Sequence, residues 1–235
     1  GLAYAEGRNA PEDWVRAAAY YGVGCKAGNA ASCIRLGLAY DKGHGVEKNA
    51  AYASFYFHKA CDLDSASGCS NIGLSYALGK GVVKDENRAA RYFKRSCDAG
   101  SHDGCANLAT AYVKGIGVHR DRGRAVPLYQ DSCAQGDSNA CFNLGVLYEK
   151  GWSVARNLKD ATRFYSSACD SGEGAGCGNL GLLHDSGKAG VRDSRQAVLL
   201  YRRGCTLSHA ESCVSLGKAY LRGRGIKEDQ AAGLR

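Results

Sequence analysis

Twelve cysteines are the residues with the most chemistry to offer. They fall at Cys25, Cys61, Cys97, Cys133, Cys169 and Cys205, and again at Cys33, Cys69, Cys105, Cys141, Cys177 and Cys213. Thiols at fixed spacing can ligate zinc, run redox exchange or cross-link the chain. Structural zinc sites separate their cysteines by about two to four residues, and redox motifs read Cys-x-x-Cys. Neither spacing occurs here, where each pair is Cys-x7-Cys. A short loop such as residues 62–68 brings two thiols together. The economical pairing is therefore local: Cys25–Cys33, Cys61–Cys69, Cys97–Cys105, Cys133–Cys141, Cys169–Cys177 and Cys205–Cys213. An even and high cysteine count fits a disulfide framework in an oxidising compartment, since cytosolic thiols are kept reduced.

Other reactive side chains carry weaker signals. Ser215-Leu-Gly-Lys218 matches the Ser-x-x-Lys element of acyl-transfer enzymes. A chain with 19 serines and 13 lysines yields such a match by chance, and Ser-Asp-Asn and Lys-Thr-Gly are both missing. The six histidines show no His-x-x-x-His spacing, so no metal or other cofactor is expected. The basic stretch His119-Arg120-Asp121-Arg122-Gly123-Arg124 is interspersed with acid and lacks an aromatic platform, which argues against nucleic acid. A net charge of +8 is modest for 235 residues. No run approaches the roughly 20 apolar residues of a membrane-spanning helix. With no methionine anywhere, the chain is expected to be a processed or excised segment, its leader removed and its flanking sequence missing.

The elements that position these residues follow from one period. Both cysteine series step by 36 residues without insertion or deletion, the signature of a solenoid. Leu36, Ile72, Leu108, Leu144, Leu180 and Leu216 keep the step. So do Gly37, Gly73, Gly145, Gly181 and Gly217, with Ala109 as substitute, and a tyrosine position running from Tyr4 and Tyr40 to Tyr220 with His184 in the series. Cys33, Leu36 and Tyr40 share one helical face. That helix starts after Asn29, Ser65, Ser101 or Asp137, good N-caps, and ends at a glycine-rich turn such as Gly43-His44-Gly45-Val46. A second helix starts after Asp13, Asn49, Asp85, Asp121, Asn157, Asp193 or Asp229. It buries Ala53, Phe57, Ala60 and Cys61. Each unit is thus two antiparallel helices of about 12–15 residues, too short to stand alone. Five whole units occupy 29–64, 65–100, 101–136, 137–172 and 173–208. Partial ones occupy 1–28 and 209–235, in one continuous solenoid domain.

The segment Cys-Phe-Asn-Leu-Gly-Val-Leu-Tyr at 141–148 and the Gly-x-Gly-Val turn resemble the Sel1-like repeat, itself similar to the tetratricopeptide repeat. The paired cysteines resemble, more narrowly, the Helicobacter cysteine-rich proteins. The resemblance spans the whole chain. It implies an all-α fold, a right-handed α/α superhelix, together with export from the cytoplasm and protein–protein contact. Ser153, Ala189 and Gly190 depart from the glycine–valine turn, so two turns are expected to be altered. Penicillin binding or β-lactamase activity has been linked with the Helicobacter relatives. Some cysteine-rich Sel1 proteins belong to the mitochondrial intermembrane space. Both remain alternatives here.

The leading expectation is a secreted or periplasmic monomer, not an enzyme, that binds a protein or peptide on its concave face. Positions that vary between units mark that face. They are represented by Ile34 and Phe142, Asp41 and Glu149, and Lys42 and Lys150, all placed away from the Leu36 stripe. An asparagine row, Asn71, Asn107, Asn143 and Asn179, offers amides either to a peptide backbone or to its own repeat.

Overall fold

Short polar side chains start the helices, and left-handed glycines stop them. In the computed structural model, which describes residues 1–6, 13–188 and 190–234, Asn29 Oδ1 accepts from the Ser32 amide at 2.8 Å. Ser65 Oγ accepts from the Gly68 amide at 3.2 Å. Asp85 and Asp137 do the same for the Arg88 and Ala140 amides at 2.9 and 3.0 Å. Each bond satisfies one donor left free in a first helical turn. In the last two units the cap residue changes. Glu173 still accepts from the Ala175 amide, but the His209 side chain makes no cap bond.

Among the described residues there are fourteen α-helices and no strand. They fall into two compact units. The first, residues 1–121, holds α1 (Leu2–Ala5), α2 (Trp14–Lys26), α3 (Ala30–Lys42), α4 (Ala50–Asp62), α5 (Ala66–Leu78), α6 (Glu86–Asp98) and α7 (His102–Lys114). The second, residues 122–235, holds α8 (Arg122–Ala134), α9 (Ser138–Lys150), α10 (Leu158–Asp170), α11 (Gly174–Ser186), α12 (Ser194–Thr206), α13 (Ala210–Leu221) and α14 (Gln230–Gly233). Within each unit, odd-numbered first helices pair with the following even-numbered helix, as α3 with α4 and α11 with α12.

In the hairpins α3–α4, α5–α6, α9–α10 and α11–α12 the core is a ring lying across a glycine. In the first unit Ala53, Phe57, Cys61, Cys69 and Ile72 form one buried cluster. In the second, Ala161, Tyr165, Cys169, Cys177 and Leu180 form its counterpart. A Cβ on Gly37 would stand 2.6 Å from the Phe57 ring and 3.2 Å from the Ala53 carbonyl oxygen. Gly73 faces Phe93, Gly145 faces Tyr165 and Gly181 faces Tyr201 in the same way, at 2.6 to 2.7 Å. The glycine therefore sets how close the two helices come. Gly73→Leu is expected to cost about 2–4 kcal/mol, because added bulk in a packed core strains both helices. A thermal melt checks this. Pairing the change with Phe93→Ala should recover part of the loss, and an unchanged melt for Gly73→Leu alone would contradict the packing.

A second aromatic layer sits outside that core. Tyr40 stacks on Tyr56 at 5.6 Å between ring centroids, Tyr76 on Tyr92 at 5.6 Å, and Tyr148 on Phe164 at 5.4 Å. The recurring tyrosine thus meets an aromatic of its partner helix rather than entering the deep core, and it stays half-buried.

The turns join one hairpin to the previous one. Gly43, Gly79, Gly115 and Gly151 end their helices in the left-handed conformation. Two residues on, Gly81 lies directly against the Ala50 carbonyl of the preceding second helix. Ser153 occupies the equivalent place and keeps a left-handed backbone at φ 62°, so this turn is preserved in shape without glycine. Gly190 takes φ 140°. Ala189 lies outside the described residues.

Candidate partner-binding face

The cysteines are committed to structure. Six disulfides link Cys25 to Cys33, Cys61 to Cys69, Cys97 to Cys105, Cys133 to Cys141, Cys169 to Cys177 and Cys205 to Cys213, with Cα atoms 4.4 to 4.7 Å apart. Each joins the end of a second helix to the first turns of the next hairpin. Cys25, Cys33, Cys61 and Cys69 are fully buried. Among the described residues no cysteine is free, and no group of three or more His, Cys, Asp or Glu side chains gathers for a metal.

The residues marked from sequence as variable occupy three environments. Ile34 turns inward and packs on Cys25, Cys33 and Ala60. Phe142 does likewise, with its ring 5.9 Å from that of Tyr165. Both directly follow the disulfide cysteine of their helix, where the bridge holds the chain against the second helices. Position 41 is half-open, and its carboxylates are engaged. Asp41 pairs with Lys80 at 2.5 Å. Glu149 accepts from the Tyr165 hydroxyl at 2.7 Å and meets Lys150 at 3.2 Å. Lys42 and Lys150, one residue on, project into solvent.

The asparagines are half-buried, and two of them contact the preceding repeat rather than their own. Asn107 Nδ2 reaches Ser70 Oγ at 3.5 Å. Asn179 hydrogen-bonds the Tyr165 hydroxyl. Asn71 lines a pocket between α3 and α5, while Asn143 is half-buried on α9.

That pocket is the feature the sequence reading missed. It encloses about 160 Å³, with Phe57 and Ala53 as floor, Leu38, Leu74 and Leu78 as walls, and Asp41 and Lys80 at the rim. Leu38 and Leu74 are each 39% exposed and Leu78 is 72% exposed. The signal was present: Leu38, Leu74, Val146 and Leu182 share one position of the 36-residue unit, with Thr110 and Lys218 at the same position in two others. They sit on the side of the first helix opposite the buried cysteine. A pocket at the equivalent place between α11 and α13 encloses about 180 Å³, with a different lining that includes Asp185, Ser215, Lys218 and Arg224.

Buried tyrosines anchor this side of the hairpins. Burial and then the neighbouring Asp185 push the Tyr201 phenol up to about 12. Burial, followed by the hydrogen bond to Glu149, raises Tyr165 further. A phenol is neutral when protonated, so the unfolded chain loses these protons from about pH 10 while the fold retains them. The Tyr201 contribution is whole below pH 10 and falls away between pH 10 and about 12, and that of Tyr165 falls away over a range reaching higher. The urea midpoint should accordingly drop between pH 9 and pH 11, and an unaltered midpoint would contradict the assignment.

The family and structural comparisons agree with this geometry. The Sel1 repeat model matches residues 30–65, 66–101, 102–137, 138–173, 175–209 and 210–235. The crystal structure of c5321, a protective antigen of uropathogenic Escherichia coli, superposes with a TM-score of 0.84 at 24% identity. It is matched over 99% of this chain and 50% of its own, so the chain spans half the length of that relative. A Sel1 repeat protein from Oxalobacter formigenes gives a TM-score of 0.84 at 28% identity, over 89% of this chain and 86% of its own. Helicobacter pylori cysteine-rich protein B is 31% identical over 55% of this chain and 93% of its own, with a TM-score of 0.45. No curated protein sequence matches the chain.

Proposed function

The chain belongs to the Sel1 repeat family, and from that membership we propose that it is an extracytoplasmic scaffold holding a peptide or protein partner on the concave, open face of its first helices. Sel1 repeat proteins are generally protein–protein interaction scaffolds, and six disulfides suit an oxidising space outside the cytoplasm. No helix among the described residues is long and apolar enough to cross a membrane. The observation that carries the reading is the pocket between α3 and α5. Three leucines stand open around it, beside a paired carboxylate and ammonium. An apolar recess with a few polar groups at its edge suits a partner side chain. Lys42, Asn71 and Lys150 offer polar groups on the first helices, whereas Glu149 and Asn179 are engaged by Tyr165.

The test uses the oxidised chain as bait against extracellular and envelope protein extracts, with a second bait carrying Leu38→Glu and Leu74→Glu. A charge in place of a buried interface leucine should weaken capture at least about tenfold. Equal capture by both baits would place the partner elsewhere. Ser215 and Lys218 lie nearly one helical turn apart on α13 and line the second pocket.

A further inference from the structure

The pocket between α11 and α13 has the same position in its hairpin as the leucine pocket, but eight of its lining positions are exchanged, including the four that follow. Asn71, Leu74, Leu78 and Ala50 become Ser215, Lys218, Arg222 and Ser194. In both pockets the single carboxylate is already answered. Lys80 neutralises Asp41 at 2.5 Å. Arg224 Nε sits 2.9 Å from Asp185 Oδ1 and its Nη2 donates to the Asp185 carbonyl at 3.2 Å, while Ser194 Oγ donates to the carboxylate at 2.8 Å. Lys218 and Arg222 remain. Among the described residues neither has an ion-pair partner, and both are exposed at the pocket. The leucine pocket is thus electrically balanced, whereas this one carries two uncompensated positive charges. Its floor stays apolar, with Leu182, Val198 and Ala219.

We infer that this pocket takes a glutamate-type side chain of an acidic peptide, its methylenes on Leu182 and Val198 and its carboxylate between Lys218 and Arg222. Guanidinium and ammonium groups form charge-assisted hydrogen bonds with a carboxylate, and the half-buried Ser215 hydroxyl adds a neutral donor. The apolar floor favours a carboxylate on a short aliphatic stem over a bare inorganic anion. The inference rests on the scaffold reading and names the chemistry of one of its subsites.

The experiment is an NMR titration of the full, oxidised, 15N-labelled chain. The probes are an alanine–glycine decapeptide carrying two glutamates, its glutamine twin, a leucine-bearing decapeptide and inorganic phosphate. The glutamate peptide should shift the amides of Ser215, Lys218, Arg222 and Arg224 saturably, about tenfold more tightly than the glutamine twin. Lys218→Glu with Arg222→Glu should abolish those shifts while leaving the rest of the spectrum in place. Salt should weaken the binding, because the charges are solvent-exposed. Equal binding of the glutamine twin, or equal binding of phosphate, would overturn the acidic-peptide assignment. If the leucine peptide shifts Leu38 and Leu74 but no peptide shifts α13, only this inference fails. If no peptide shifts either pocket, the scaffold reading fails with it.

Discussion

Complete reduction of the six disulfides is expected to unfold most of the helical structure at 25 °C. Closing a nine-residue loop stabilises the native chain by about 2–3 kcal/mol in the chain-entropy model. Six such bridges together amount to about 12–18 kcal/mol. That is as large as the whole net stability of an ordinary domain, about 5–15 kcal/mol. The helices have little to fall back on. Most are 13 residues long, near the length at which isolated helices are marginal. Each bridge also ties one hairpin to the next, so its loss weakens an interface between repeats and not merely a loop. Circular dichroism at 222 nm with excess phosphine reductant provides the check. The expected outcome is loss of most of the helical signal. A single removal, Cys61→Ala with Cys69→Ala, should cost about 2–3 kcal/mol. A fully reduced chain that still melts cooperatively at the oxidised temperature would show that packing alone suffices.

Gly81→Ala should be among the most damaging single substitutions. Its backbone is left-handed, at φ 72°, which costs a residue with a Cβ about 1–2 kcal/mol. The larger penalty is steric. The new Cβ would stand inside contact distance of the Ala50 carbonyl and the Ala51 amide, both backbone atoms of α4. A side chain could rotate away, but a helical backbone cannot. Relieving the overlap means moving the turn away from α4, an adjustment already present where Ser153 replaces the glycine, and the overpacking cost of about 1–3 kcal/mol adds to the strain. The expected destabilisation is about 2–5 kcal/mol. Gly100→Ala serves as a control: it shares a positive φ of 82°, but no atom lies within 4 Å of its Cβ position, so it should lose only the conformational part. Urea melts of the two variants separate the contributions. Equal losses would mean that contact between hairpins plays no part at Gly81.

The difference between these glycines explains why the fold was legible in the sequence. Cysteine pairs, cap residues and turn glycines are fixed by covalent geometry, by free amides and by backbone conformation. They accept few substitutes and no insertion, so the 36-residue step stayed visible. Even so, Ser153 shows that a left-handed turn survives without glycine. The candidate binding face was less legible because exposure changes along a single helix. Ile34 and Asp41 lie seven residues apart on one helical stripe, yet Ile34 packs against Ala60 while Asp41 stands at a pocket rim. The disulfide at Cys33 closes the beginning of α3 against its neighbours and leaves the end open. Periodicity within one helix carries no information about that difference. Leu38 and Leu74 were overlooked for a related reason. An exposed leucine beside a buried leucine stripe reads as core until the neighbouring first helix is placed.

The asparagine row illustrates the remaining ambiguity of sequence. An amide at a fixed repeat position can serve a ligand or the scaffold, and its composition is the same in both cases. Here Asn107 and Asn179 contact groups of the preceding repeat, while Asn71 faces the leucine pocket. Two members of the row thus bridge neighbouring hairpins, and one lines a pocket.

The most direct test of the scaffold proposal is site-specific photo-crosslinking to the captured partner. Benzoyl-phenylalanine replaces Leu74 at the pocket in one bait and Val83, 89% exposed in the following turn, in another. The expected result is a crosslinked partner from position 74 and none from position 83. A crosslink from position 83 alone would contradict binding on the open face of the first helices.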